Sequence, residues 1–393
     1  MIQVFSSHSG GRVKKSVQVI GPQRPIRGLI VGFLSGKSRM ICPGKIPGVR
    51  FRLKNRRSSA TWWAMILRNE ETRRNGRGGD RLAAVAMVLL GLVTGTAADA
   101  DVKPLPLVVV IDSGIASGHE AFEDRFLPGE PIQARLPENI RGVHANRWVG
   151  WDFVESDFDP QDRTGHGTHV AGLVAGEMGA ATESSARLAM FRTGDRQHEL
   201  MPVAAALEAV VTMRKAGFDI PVVLCAFDYR RTPEDGAAYE RFAAALRALL
   251  ESGVVCVCAA GNGGLDLDTA PEAAEQYQVA FSHPAMISVA ACSDAGQLLA
   301  ASNYGAKSVA LAAPGLAAMA AAREGGQTAL SGSSQAAARV AGRLARHAAD
   351  SGERDPKKLR EWLLGAVKID PSLVGRVASA GYLPLERVAG KPG

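Results

Sequence analysis

The chain has 393 residues, 46% apolar and 6% aromatic, enough for one large or two ordinary domains with a core of small aliphatic side chains. Its net charge of +7 is unevenly spread: residues 1–64 carry thirteen Lys/Arg and no acid, whereas residues 101–393 hold 28 basic against 35 acidic residues. The body thus lacks the basic footprint of a nucleic-acid binder, and no nucleic-acid partner is expected.

Residues 1–64 scatter Gly, Lys and Arg among short apolar runs and read as disordered, or as an extension upstream of the true start. Met65 is a plausible start. Behind it come Arg68, Arg73, Arg74, Arg77 and Arg81, an apolar run from Leu82 to Val93, and Ala98-Asp99-Ala100. This is the order of a basic n-region, an h-region and an A-x-A cleavage site. Residues 65–100 are therefore expected to be a signal peptide, with an uncleaved membrane anchor as the alternative. Either gives the leader a membrane contact and the body an exported, periplasmic or secreted location. Among the five cysteines no pair has zinc-ribbon spacing, and Cys225, Cys256, Cys258 and Cys292 sit in apolar runs expected to bury them. A disulfide among these four is left open.

The body, 101–393, alternates apolar runs with helical patterns. Leu107–Ile111, Arg187–Phe191, Pro221–Phe227, Val254–Ala260, Met286–Ala291 and Ser308–Ala312 read as strands buried on both faces. Val170–Gly176, Met201–Ala216, Tyr239–Ser252 and Gln335–Ala349 read as helices. The expected fold class is α/β, a mainly parallel sheet covered on both faces, with its site outside the carboxyl ends of the strands. Polar residues fall at such positions. Asp112 follows the first strand, and Asn262 follows Val254–Ala260 within Gly261-Asn262-Gly263-Gly264. In Thr164-Gly165-His166-Gly167-Thr168-His169, the glycines give close access to His166, and Thr168 ahead of a small apolar run signals a helix start. Ser334 follows a Gly/Ser turn and opens a small-residue helix, where free N–H groups suit a developing oxyanion.

Serine is a weak nucleophile that needs a base, and the base needs an orienting carboxylate. Asp112, His166 and Ser334 supply the three in that chain order, and Asn262 adds a side-chain donor for the oxyanion. With Val109-Val110-Ile111-Asp112-Ser113-Gly114, Gly165-His166-Gly167-Thr168-His169-Val170-Ala171-Gly172, Ala259-Ala260-Gly261-Asn262, Ser302-Asn303-Tyr304-Gly305, Ala313-Pro314-Gly315 and Gly332-Ser333-Ser334, the chain resembles the subtilisin-like serine proteases, or subtilases, over about residues 104–390. The resemblance implies a three-layer subtilisin-like α/β fold. It implies hydrolysis of peptide or protein substrates through an Asp/His/Ser triad, with no cofactor in the chemistry. His169 is expected to be structural.

The serine motif carries Ser333 where the family usually has Thr, and Gln335-Ala336-Ala337-Ala338-Arg339 where it has Met-Ala-Ala-Pro-His. The substrate-docking strand reads Cys225-Ala226-Phe227 in place of a Ser-x-Gly-Gly-like run, with Ala260 and Gly261 completing the docking surface. Phe227 is expected to crowd the cleft and narrow specificity. A propeptide is not expected between Ala100 and the domain. Structural calcium is possible through Asp152, Asp157, Asp159 and Asp162, which more often form a solvated loop. The rival reading is a catalytically impaired subtilase fold serving as a binding or assembly module. An α/β-hydrolase is disfavoured, because Gly332-Ser333-Ser334-Gln335-Ala336 lacks the second glycine of its elbow.

Overall fold

The computed structural model describes residues 105–129, 135–142, 147–195, 199–227, 235–269 and 282–385, together with the backbone of short strands within 2–69. The chain divides into two units, Met1–Asp101 and Val102–Gly393. In the first, strands Ile2–Ser9 and Arg12–Ile20 pair antiparallel. Most of 65–100, where a signal peptide or anchor is expected, and the remaining positions of 1–64 lie outside the described residues.

The second unit is organised by a nine-stranded sheet. Its strands in chain order are β1 (Leu107–Asp112), β2 (Gly150–Asp152), β3 (Arg187–Arg192), β4 (Val222–Cys225), β5 (Val255–Ala259), β6 (Met286–Cys292) and β7 (Leu311–Pro314), followed by β10 (Lys368–Ile369) and β11 (Gly381–Tyr382). Between β7 and β10 a hairpin of β8 (Ala318–Ala321) and β9 (Gln327–Leu330) stands apart from the sheet. The sheet order is β2-β3-β1-β4-β5-β6-β7-β11-β10, parallel except for the β10–β11 pair. Among the described residues the α-helices are α1 (His166–Glu177), α2 (Leu200–Lys215), α3 (Gly236–Glu251), α4 (Ser333–Ser351) and α5 (Pro356–Gly365).

Period-two alternation along the strands sorts the core into two layers. Val109, Ile111, Val223, Cys225, Cys256 and Cys258 face the side of α2 and α3. Val108, Val110, Val222, Leu224, Val255 and Val257 face α1, α4 and α5. Both faces are covered, which makes this a three-layer α/β fold and explains why the strands read as unbroken apolar runs. β1 is a topological switch point: the chain builds β3 on one side of it, then crosses to β4 on the other. Ligand sites of open α/β sheets form at the carboxyl end of such a point.

The sequence patterns do not predict β2, β10, β11 or α5, and two further regions differ from expectation. The strand placed at Ser308–Ala312 runs from Leu311 to Pro314, because Ser308 is drawn to the Asp268 carboxylate and Val309 bonds back to Gly305. The β8–β9 hairpin lacks a strong alternating pattern, since β9 is largely exposed.

Candidate active site

Asp112 ends β1 fully buried, and its Oδ1 accepts the Ser113 backbone N–H at 2.7 Å. The same oxygen lies 2.8 Å from Nδ1 of His166, the first residue of α1. A carboxylate there holds the proton on Nδ1 and leaves Nε2 as the basic nitrogen. The His166 side chain is 35% exposed, so that nitrogen can meet a substrate.

The start of α1 is set by Asp162. Its Oδ1 accepts from Ser113 Oγ and from the Thr164 and Gly165 backbone N–H groups, while Oδ2 accepts from the N–H and Oγ1 of Thr168. Asp162 thus takes the Gly165 and Thr168 amides at the start of the helix, while Thr164 Oγ1 accepts the His166 N–H. Asp162 also ties the helix to Ser113, whose Oγ accepts the Gly167 N–H. Gly165, at φ 88°, makes the turn into the helix. A Cβ on Gly167 would run into the Gly114 carbonyl oxygen and lie 3.1 Å from Asp112 Oδ1. Gly167→Ala is therefore expected to destabilise the fold by about 3 kcal/mol through overpacking against backbone. Urea unfolding checks this; an unchanged midpoint would show that α1 can back away freely.

Ser334 lies in the first turn of α4, 8% exposed, and its hydroxyl donates to the Ala226 carbonyl just past β4 at 2.8 Å. Its backbone N–H belongs to the turn that has no acceptor within the helix. Asn262 follows β5 and is exposed. Its Oδ1 accepts from the N–H of Ser333 at 2.9 Å and from Ser333 Oγ at 3.2 Å, which leaves Nδ2 as the outward donor. Ser333 Oγ in turn accepts from the Gly261 N–H. Buried Asn303 holds this loop from behind: its Oδ1 accepts from Gly263 and Leu265, and its Nδ2 donates to the Ala260 carbonyl. The Asp162 and Asn303 roles went unread in the sequence. An Asp just ahead of a helix start was the available signal for the first. For Asn303 there was none, since its partners lie 38 to 43 residues away.

The docking-strand residues separate. Ala226 faces the α1–α4 layer and presents its carbonyl to Ser334. Cys225 and Phe227 face the opposite layer, and Phe227 is only 6% exposed. Period-two alternation directs the aromatic ring into the core, so the expected crowding of the cleft by this ring is not what the geometry provides. Ala260 and Gly261 are buried behind Asn262. Arg339 and Arg343 both bind Glu177, at 3.0 and 3.2 Å, and so join α4 to the end of α1.

His169 is fully buried, and its Nε2–H donates to the carbonyls of Ala318 and Thr328. Burial, as the largest cause, pulls its pKa below the ordinary histidine value. His347, stacked on Trp362, is lowered by burial too. Below about pH 6.5 the unfolded chain takes up protons at these rings that the folded chain refuses. Stability is expected to fall as pH drops from 7.5 to 5.5; a constant urea midpoint over that range would contradict it.

The four acids considered for calcium do not converge. Asp152 accepts from Val154 and Glu155 and pairs with Arg192 at 2.6 Å. Asp157 and Asp159 accept from Asp159 N–H and Gln161, and Asp162 is committed to α1. Calcium needs six to eight oxygens around one point. Among the described residues no group of three His, Cys, Asp or Glu could hold a metal. Cys225, Cys256, Cys258 and Cys292 are free, buried thiols; burial pushes Cys292 up to about 12. No helix among the described residues is long and apolar enough to cross a membrane.

The Asp112–His166 pair offers a base, and the start of α4 offers a serine hydroxyl with the Asn262 carboxamide bonded to the preceding residue. A serine proteinase described as thermophilic, from Bacillus sp. strain AK1, is 30% identical over 200 residues, 49% of this chain and 45% of that protein. Subtilisin-like protease 7 of Arthroderma gypseum is 30% identical over 237 residues, 59% of this chain and 49% of that protein. The chain thus spans about half the length of the curated relatives it matches. Among solved structures, a cold-adapted subtilisin-like serine proteinase superposes with a TM-score of 0.54 at 23% identity, covering 71% of this chain and 88% of its own. The model of the subtilase family, Peptidase S8, matches residues 106–379, from the start of β1 to the approach to β11, and the chain belongs to that family.

Proposed function

We propose that the chain is an exported serine endopeptidase acting on peptide or protein substrates. The observation that carries this reading is the 2.8 Å contact between buried Asp112 and His166 at the carboxyl end of β1, beside β4, past whose end Ala226 takes the Ser334 hydroxyl. Ser334 Oγ leaves its acceptor on Ala226, loses its proton to His166 Nε2 and attacks the scissile carbonyl. Asp112 keeps the imidazole in the required tautomer and stabilises its charged form. The oxygen, negative in the tetrahedral intermediate, is held by Asn262 Nδ2 and the Ser334 N–H. His166 then protonates the leaving amine, and water releases the acyl group by the same route. No metal is part of the proposal.

Export rests on the leader pattern at residues 65–100, and N-terminal sequencing of exported protein is expected to start after Ala100. A restricted specificity belongs to the same proposal. It rests on the docking strand itself, where Cys225-Ala226-Phe227 puts a side chain on every residue instead of glycines and so stiffens the segment leaving β4 on which an extended peptide would dock. Incubation with a peptide library is expected to yield new termini drawn from few sequences. No new termini would overturn the protease reading, and cleavage as broad as that of a digestive subtilisin would overturn the narrow specificity alone.

A further inference from the structure

The residue after the nucleophile has no task in the scheme above. Gln335 lies in the first turn of α4 and is only 3% exposed. Among the described residues its carboxamide has no hydrogen-bond partner, and the residue is absent from those with further interactions. Nor does it belong to the polar atoms sealed from solvent without a bond, so its amide opens onto accessible space. That space is identified by Gly332. A Cβ there would lie 3.1 Å from Gln335 Oε1, 3.1 Å from Asn262 Oδ1 and 3.4 Å from Asn262 Nδ2. The two carboxamides therefore flank the same side of Gly332, two residues before Ser334. Asn262 is fixed through Ser333; Gln335 is held by its stem alone.

An acceptor oxygen beside a forming oxyanion repels it, whereas a donor there stabilises it. The terminal torsion of a glutamine is broad and roughly two-fold, so exchanging O and N requires little. We propose that Gln335 is a further catalytic residue: its Nε2–H₂ turns toward the scissile oxygen as that oxygen becomes negative, giving the oxyanion a second side-chain donor beside Asn262. This rests on the protease reading. It also accounts for a polar residue at a position where an apolar one would fill the same space.

The test compares the full chain with Gln335→Met, which keeps the volume and removes the donor, and Gln335→Glu, which keeps the shape and presents only acceptors. Steady-state hydrolysis of one peptide is measured alongside inhibition by a peptide aldehyde of the same sequence and by the cleaved product peptide. The expected result is a kcat about 10-fold lower for Gln335→Met and lower still for Gln335→Glu, with KM within about twofold. Aldehyde affinity should fall with kcat, while product affinity should hold, a split that a merely structural role would not produce. Urea midpoints show that the variants are folded. Wild-type turnover with Gln335→Met matching it, or a loss confined to KM, overturns the role of Gln335 alone. Absence of hydrolysis by the unaltered chain overturns the protease reading and this inference together.

Discussion

Ser334→Ala is expected to lower kcat by on the order of 10⁶, the scale on which removing one member of an acting triad removes the benefit of all three. The same change should leave the fold intact. The side chain is small, lies at the edge of the cleft with 8% exposure, and makes one hydrogen bond, to the Ala226 carbonyl. Losing that bond costs about 1 kcal/mol. Hydrolysis of a peptide found with the library, measured beside the urea midpoint, separates chemistry from stability. Activity in the variant near that of the unaltered chain would show that another group attacks the substrate. Loss of folding with loss of activity would mean that Ser334 chiefly ties α4 to the end of β4.

Asn262→Ala is expected to lower kcat by about 10²- to 10³-fold, the usual consequence of losing one oxyanion donor, with KM little changed. The variant also frees the Ser333 N–H that Asn262 Oδ1 accepts, so a stability loss of about 1 kcal/mol should accompany it. Asn262→Asp separates the two effects. An aspartate keeps an acceptor for Ser333 and restores stability, but it sets a negative charge where the oxyanion forms and should be at least as poor in kcat. If Asn262→Asp recovers activity along with stability, the asparagine serves only to tie β5 to α4.

The catalytic candidates were legible because each is placed by a local rule. Asp112 follows a β-branched run, His166 and Ser334 open small-residue helices, and Asn262 lies in a glycine turn after a strand. Strand ends and helix starts are where a parallel α/β fold must put its site, and Asp112 and His166 meet there across 54 residues. What could not be read is what holds these residues at the right distances. Asp162 has the same letter as its three acidic neighbours, yet it alone caps α1 and binds Ser113 across 49 residues. Arg339 reads as an odd charge in the serine motif; its partner Glu177 is 162 residues away. The direction of Phe227 depends on where β4 meets the sheet, because a shift of one residue in register sends a side chain to the other face. The fold class survived these gaps because period-two and helical patterns average over many residues, whereas one misjudged side chain changes the view of a binding surface.

The central claim is that folding assembles a reactive serine at residue 334. The most direct measurement is labelling of the native protein with a serine-directed fluorophosphonate, followed by peptide mapping, with urea-unfolded protein and His166→Ala as controls. A single adduct on Ser334 is expected in the native chain and in neither control, because only the folded arrangement gives the hydroxyl a base and its oxyanion donors. No adduct in the native chain, or labelling at Ser334 that survives unfolding, would contradict it.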